Sequence, residues 1–259
     1  MKRLVSGIAA LASIFATGAF AADLAPKIYT KAPAPAVVIY DWTGWYIGGN
    51  LGYSWGRSQD TSIVTDPAGT VLATGSGRSN LNGTVGGGQF GYNLQLQNMV
   101  LGFEADIQGT GEKGSRTFSY LPIGGGNVLT PVSLGLTQQI NWFGTARGRV
   151  GALFGPKVLA YFTGGVAYGS LNSSETIGAS PLLSSSTTNI GWTIGAGIEG
   201  VIANNWTAKL EYLYVDLGTM NGSFTTPAAV TSSYSSHITD NIVRVGVNYK
   251  FGGPVAAKY

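Results

Sequence analysis

Cysteine is absent from the 259 residues, histidine occurs once, and charged residues make up only 10% of the chain. The missing thiols exclude a disulfide scaffold, thiolate zinc or iron-sulfur sites, a cysteine nucleophile and a lipidated cysteine near the amino terminus. With His237 as the lone imidazole, a multi-histidine metal cage cannot be assembled and a serine/histidine pair has a single candidate base. After the first twenty or so residues no apolar run is long enough for a spanning helix. Glycine is what the chain has in excess: 40 residues, about twice the usual share of roughly 7%. Hydrophobic residues at 44% provide for a substantial core, so low charge does not here mean disorder.

Lys2 and Arg3 precede an apolar stretch from Leu4 to Phe20, and Ala19-Phe20-Ala21 forms a small-x-small site before Ala22. These are the parts of a secretory signal peptide over residues 1–21, cleaved after Ala21. The leader holds two of the 15 basic residues and none of the 12 acidic ones, so the mature chain is close to neutral. No basic stripe remains to neutralise phosphates, which removes the argument for nucleic acid as a partner. Residues 22–41, ADLAPKIYTKAPAPAVVIYD, carry the Ala/Pro punctuation of an extended periplasmic linker.

From Trp42 onward apolar residues alternate with small or polar ones at period 2, and no 3.6-residue stripe appears. In the first run Trp45, Ile47, Leu51, Tyr53 and Trp55 share one face, opposite Tyr46, Gly48, Asn50, Gly52 and Ser54. Further runs follow at 82–94, 99–109, 139–152, 158–169, 190–201, 206–216 and 240–251. The even total of eight, most near the 9–11 residues a tilted strand needs to cross a bilayer, fits an outer-membrane barrel. Links at 95–98, 153–157 and 202–205 are short, whereas Ser/Thr/Gly-rich links at 57–81, 110–138, 170–189 and 217–239 are long. Short periplasmic turns alternating with long external loops belong to the same architecture. The expected fold is all-β, an eight-stranded antiparallel up-and-down transmembrane β-barrel over 42–251, followed by a short tail at 252–259.

Charge placement orients the wall. Glu104, Asp106, Arg147, Arg149, Glu199, Lys209, Glu211 and Arg244 all fall on the face opposite the large apolar side chains. A basic residue on the lipid face at the midplane costs about 2–4 kcal/mol, so the charged face is the lumen. Four acids and four bases are formally neutral there, and an eight-stranded barrel is just wide enough for side chains to fill it. Ion pairing inside the barrel is the expected state, although alternation does not reveal which acid meets which base. Trp45, Trp55, Trp142, Trp192, Trp206, Tyr212, Tyr214 and Tyr249 fall near strand ends, as interfacial girdles require.

Other motifs are weaker. Gly86, Gly88 and Gly91 spell G-x-G-x-x-G, but an alternating strand runs through the match and no helix begins there, so no nucleotide cofactor is expected. His237 lies near Asp240 at the end of the last long link; a solvated loop explains the pair better than a hydrolase site without a distinguished nucleophile. Asp60, Asp66, Glu112 and Glu175 are scattered over different links, which argues against a metal site. No catalytic residues and no cofactor are expected.

The last strand ends on Tyr249 and Phe251, an alternating segment closed by aromatics like the terminal strands that the barrel-insertion machinery recognises. DWTGWYIGGNLGY (41–53), LEYLYVDLG (210–218) and NIVRVGVNYKF (241–251) resemble the small outer-membrane β-barrel proteins of alphaproteobacteria, a group labelled porin-family or OmpA-like. The resemblance covers essentially everything after the linker. It implies an eight-stranded barrel in the cell outer membrane that supports envelope integrity and exposes loops outside the cell. Two alternatives stay open: a narrow porin for small hydrophilic solutes, and a loop-mediated receptor or adhesin of unknown ligand. Expected partners are outer-membrane lipids and lipopolysaccharide, and the barrel-assembly machinery during insertion. The chain departs from the group by continuing past Phe251 with GGPVAAKY, where the insertion signal is usually the terminus itself.

Overall fold

Period-2 alternation over such lengths leaves the backbone one way to satisfy its polar groups without helices, namely a ladder closed on itself. The computed structural model describes residues 38–120, 132–177, 180–225, 231–252 and 255–256; the leader at 1–21 and the linker over 22–37 lie outside them. The strands are β1 Val38–Ile39, β2 Gly44–Thr65, β3 Val71–Leu96, β4 Met99–Thr110, β5 Lys113–Tyr120, β6 Val132–Leu153, β7 Val158–Ile177, β8 Ser180–Ala203, β9 Trp206–Thr225, β10 Thr231–Lys250 and β11 Val255–Ala256. Each long strand pairs antiparallel with its sequence neighbour, and β10 returns to β2 in an unbroken register from Thr231↔Thr65 to Lys250↔Tyr46. β5 continues the line of β4, pairing with β3 at Asn82↔Lys113 and with β6 from Lys113↔Gln139 onward. Counting β4 and β5 as one stave interrupted at Gly111 and Glu112, eight staves close into a ring through the membrane band; past Asn82↔Lys113 no ladder joins β3 to β5, and past Trp192↔Asp216 none joins β8 to β9, among the described residues.

At one end the hairpins are tight. Gln97 takes a left-handed φ of 55° in the link before Asn98, and Gly155 takes φ 71° in the link between β6 and β7. At the other end the structure corrects the sequence reading. The segments 57–81, 110–138, 170–189 and 217–239, read above as long loops, are mostly wall: β2 runs to Thr65, β3 starts at Val71, β7 runs to Ile177 and β8 starts at Ser180. The strands are therefore 20–26 residues long in β2, β3 and β6–β10, about twice the membrane-crossing length. The excess projects beyond the outer girdle. There the outside is rich in Ser, Thr and Asn and the inside mixes aliphatic side chains with hydroxyls, so hydrophobic alternation fades while the hydrogen-bond ladders continue along β9–β10–β2–β3 and β5–β6–β7–β8.

Val38↔Ala256 and Ile39↔Val255 pair as a two-stranded sheet, joining the end of the linker to the tail after Phe251. Tyr40 and Trp42 follow as buried side chains.

Within the membrane band the faces are those the alternation assigns. Trp45, Ile47, Leu51, Tyr53, Phe90, Ile107, Phe162, Ile198 and Val245 are exposed on the outer wall. The aromatics fall at its rims: Trp45 packs edge-on against Tyr92 and Phe103, and Trp206 against Tyr249, at the end bearing the tight turns. Trp142–Tyr168 and Trp192–Tyr214 pair at the opposite rim.

Candidate functional site

The lumen is filled in layers. Trp42 is 1% exposed and packs edge-on against Tyr40, their ring centroids 5.2 Å apart, in a cluster with Val100, Leu153, Leu159 and Tyr161. The segment is pinned by two side chains: the Trp42 amide donates to Gln95 Oε1 at 2.9 Å, and Lys250 Nζ donates to the carbonyls of Asp41 and Thr43. Lys250 also lies 5.1 Å from the Tyr40 ring centroid. Residues 40–43 thus close the mouth that bears the tight turns. Neither Tyr40 nor Trp42 was assigned a role from sequence; an aromatic pair just before the first strand, beside Pro-rich chain, was the available signal.

Above this stopper the structure brings all eight expected lumen charges together. Arg147 donates to Glu104, to Asp106 at 3.0 Å and to Glu211 at 3.2 Å. Arg244 reaches Glu211 at 2.6 Å and Asp106 at 2.8 Å. Lys209 donates to both oxygens of Glu104 at 2.8 Å, and Arg149 to Glu199 at 2.7 Å. Every member is buried, and together they link β4, β6, β8, β9 and β10 across the interior.

Hydroxyls and amides complete the network. Tyr46 donates its hydroxyl proton to Glu104 at 2.8 Å while accepting from Arg149 at 3.0 Å, and Tyr161 donates to Glu211 at 2.9 Å. The Arg149 guanidinium stacks 4.0 Å from the Tyr161 ring centroid. Asn248 donates to Glu199 and accepts from Gln89, which in turn accepts from Asn50. These side chains lie on the charged face of their strands, so alternation located them; only contacts could show that they bond the ions. Two inward glycines make the room. A Cβ on Gly91 would stand 2.5 Å from the Tyr46 hydroxyl, and one on Gly197 2.6 Å from that of Tyr161.

Beyond the charges the lumen turns apolar, which alternation did not anticipate. Leu81, Val85, Ile140, Phe143, Leu171, Leu213, Val215, Leu217, Met220, Ile238 and Ile242 form one buried cluster. Farther out still, Asp60 accepts from Ser58, Ser79, Ser236 and Gln138. Ser54 donates to Asp240 beside the buried Glu112.

The remaining sequence candidates separate. His237 and Asp240 part to opposite faces of β10. His237 is outward, 3.5 Å from Asp216 and 3.2 Å from the Thr219 hydroxyl, whereas Asp240 points into the lumen. His237 therefore lies in a strand rather than a loop, because β10 starts at Thr231. Gly86, Gly88 and Gly91 lie in the middle of β3, paired on both sides. Tyr249 and Phe251 stack edge-on at 5.5 Å at the rim, exposed on the outer wall. Among the described residues no group of three or more His, Cys, Asp or Glu side chains is arranged to hold a metal ion.

Comparison with known proteins agrees with this architecture. A family model for the outer membrane protein beta-barrel domain matches residues 7–251. The "31 kDa outer-membrane immunogenic protein" of Brucella melitensis is 39% identical over 97% of this chain and 100% of its own length. The "22 kDa outer membrane protein" of Rhizobium leguminosarum is 29% identical over 97% of this chain and 100% of its own length. Among solved structures, the outer membrane protease OmpT of Escherichia coli superposes with a TM-score of 0.50 at 9% identity, covering 82% of this chain and 98% of that one, a likeness of fold alone. An all-strand ring with an apolar outer band and a charged interior, together with these matches, places the chain in the cell outer membrane as a member of the outer membrane protein beta-barrel domain family.

Proposed function

We propose that this protein is a non-enzymatic structural element of the outer membrane whose barrel passes no solute. The observation that carries the proposal is the continuous buried network of Glu104, Asp106, Arg147, Arg149, Glu199, Lys209, Glu211 and Arg244, with the Trp42 stopper on one side and an apolar layer on the other. A permeating ion would have to break several charge-assisted bonds at once, each worth about 1.5–3 kcal/mol. The same bonds run from wall to wall, so they brace the ring against shear. The projecting strands offer the outside a rigid polar surface. Relatives named outer-membrane immunogenic proteins support a surface that is seen from outside the cell.

Single-channel recording in a planar bilayer tests this, using mature protein shown by its heat-modifiable gel shift to be a closed barrel. A folded barrel that stays silent is the expected result. Stable, reproducible openings at modest voltage would make it a narrow porin instead.

A further inference from the structure

Outside the lumen, cations are segregated to one side of the barrel. Arg147, Arg149, Lys209, Arg244 and Lys250 are buried in the interior, and Lys157 sits in a turn at the stoppered end. Beyond the outer girdle, the exposed Lys and Arg side chains among the described residues are Arg57, Arg78 and Lys113, on the adjoining strands β2, β3 and β5; Arg116 of β5, half-buried, donates to the Arg78 carbonyl. Arg57 lies opposite Asn80, which makes Arg78 its diagonal neighbour, at a typical separation of about 7–8 Å. Lys113 lies opposite Asn82, itself paired with the girdle residue Trp55, and so stands two strands from Trp55, about 10 Å away. No outward-facing acid occurs on β2, β3 or β5 among the described residues; Asp60 points inward. His237, on the far side of β2, is occupied with Asp216.

We propose that Arg57, Arg78 and Lys113 form a binding site for the phosphorylated headgroup of an outer-leaflet glycolipid of the lipid A type. Their height decides the occupant. They begin with Lys113 at the level of Trp55, with Arg57 two residues and Arg78, opposite Gln59, four residues above it, where the headgroup layer of the outer leaflet meets the wall. Three cations without a local acid are complementary to clustered phosphate, and arginine's planar fork matches phosphate oxygens. The wall beneath them suits acyl chains. Gly111 and Gly109 descend from Lys113, Gly86 and Gly88 lie beside them, and the bare strip opens on a groove of about 320 Å³ bordered by Ile47, Phe90 and Ile107. Packing does not demand glycine at Gly88 or Gly109, where an added Cβ would meet nothing closer than 3.8 Å. The inference rests on placement in the outer membrane and does not depend on whether the lumen conducts.

The test uses the mature full-length barrel in nanodiscs doped with bisphosphorylated lipid A or with its dephosphorylated counterpart, read by native mass spectrometry. Retention of bisphosphorylated lipid should fall about tenfold or more in the triple variant Arg57→Gln, Arg78→Gln, Lys113→Gln. It should be unchanged in Lys157→Gln, which removes a cation at the opposite end; a heat-modifiable gel shift certifies that both variants fold. Gly88→Leu, which obstructs the strip while leaving the cations, should reduce retention by a smaller factor. Equal retention by the triple variant would overturn the site, as would equal retention of the dephosphorylated lipid. Complete displacement of the lipid by millimolar soluble pyrophosphate would show a site for free anions and overturn the lipid assignment.

Discussion

The same strands build two different assemblies: a closed ring in the membrane band and, beyond it, two four-stranded sheets, β9–β10–β2–β3 and β5–β6–β7–β8, with no ladder between them past Asn82↔Lys113 and Trp192↔Asp216 among the described residues. In the membrane band the wall is apolar outside and carries paired charges within; in the projecting half it is polar outside and encloses first an apolar cluster, then the Asp60 hydroxyl cluster. The outward residues change at the rim because the solvent changes from lipid to water. The inward residues follow a different rule, since both halves have a buried interior that must be packed and hydrogen-bonded whatever lies outside. The membrane half has used ion pairs for that purpose and the projecting half mainly aliphatic side chains. Charges taken from water stabilise only when fully partnered, so the two halves should respond very differently to substitution.

The largest difference should come from Arg147. Its three acidic partners lie within 3.2 Å, and Arg147→Met leaves them competing for Lys209 and Arg244. Breaking a buried network from one side costs about 3–5 kcal/mol. Urea unfolding in lipid vesicles should show a loss of that size, and the double variant Arg147→Met, Glu211→Gln should recover part of it. An unchanged midpoint would mean that the network adds nothing to the barrel's stability.

The outer wall gives the next contrast. Leu51→Arg near the middle of the apolar band should cost about 2–4 kcal/mol, whereas Asn221→Arg on the exposed face of the β9 projection should stay within about 0.5 kcal/mol. Equal penalties would mean that lipid reaches further up the wall than the Trp55, Trp142 and Trp192 rim.

Legibility followed the same division. Alternation in Trp45 to Trp55, or in Glu104 and Asp106 against Phe103 and Ile107, is a signal created by lipid on one side and charge on the other. It therefore gave the ring, its membrane band and the membership of the lumen network. Where water replaces lipid, as from Arg57 to Thr65, that contrast disappears and strand reads as loop although the register continues without a break on the β10 side. Pairing within the lumen was not legible because cross-barrel contacts such as Lys209–Glu104 join residues 105 positions apart and depend on side-chain reach. The stopper was hidden for another reason: Tyr40 and Trp42 stand before Trp45, the first residue of the run whose alternation assigns faces.

Glycine divides along the wall's two faces and gives a third measurement. Gly91 faces inward, and a methyl there would meet the Phe103 carbonyl at 2.4 Å and the Tyr46 hydroxyl at 2.5 Å. Gly91→Ala should destabilise by about 1–3 kcal/mol through overpacking. Gly88, outward on the same strand, has open space, so Gly88→Ala should be neutral or mildly stabilising as it restricts the unfolded chain. Thermal unfolding of the two variants side by side separates the faces without altering any charge.

The smallest effect should belong to the exposed His237–Asp216 contact of the projecting half. His237 and Asp216 stand 3.5 Å apart, with the His237 side chain 40% exposed, so water and salt screen what attraction they have. Exposed pairs contribute about 0–1 kcal/mol, and His237→Gln should fall in that range and shrink further as ionic strength rises. The Arg147 penalty should hardly depend on salt, because mobile ions cannot enter the network. If the His237 penalty proved as large and as salt-insensitive as that of Arg147, the outer face of the projection would have to be shielded from solvent. A covering partner such as a neighbouring sugar chain or a second barrel would then have to be sought at the Asp216–His237 face.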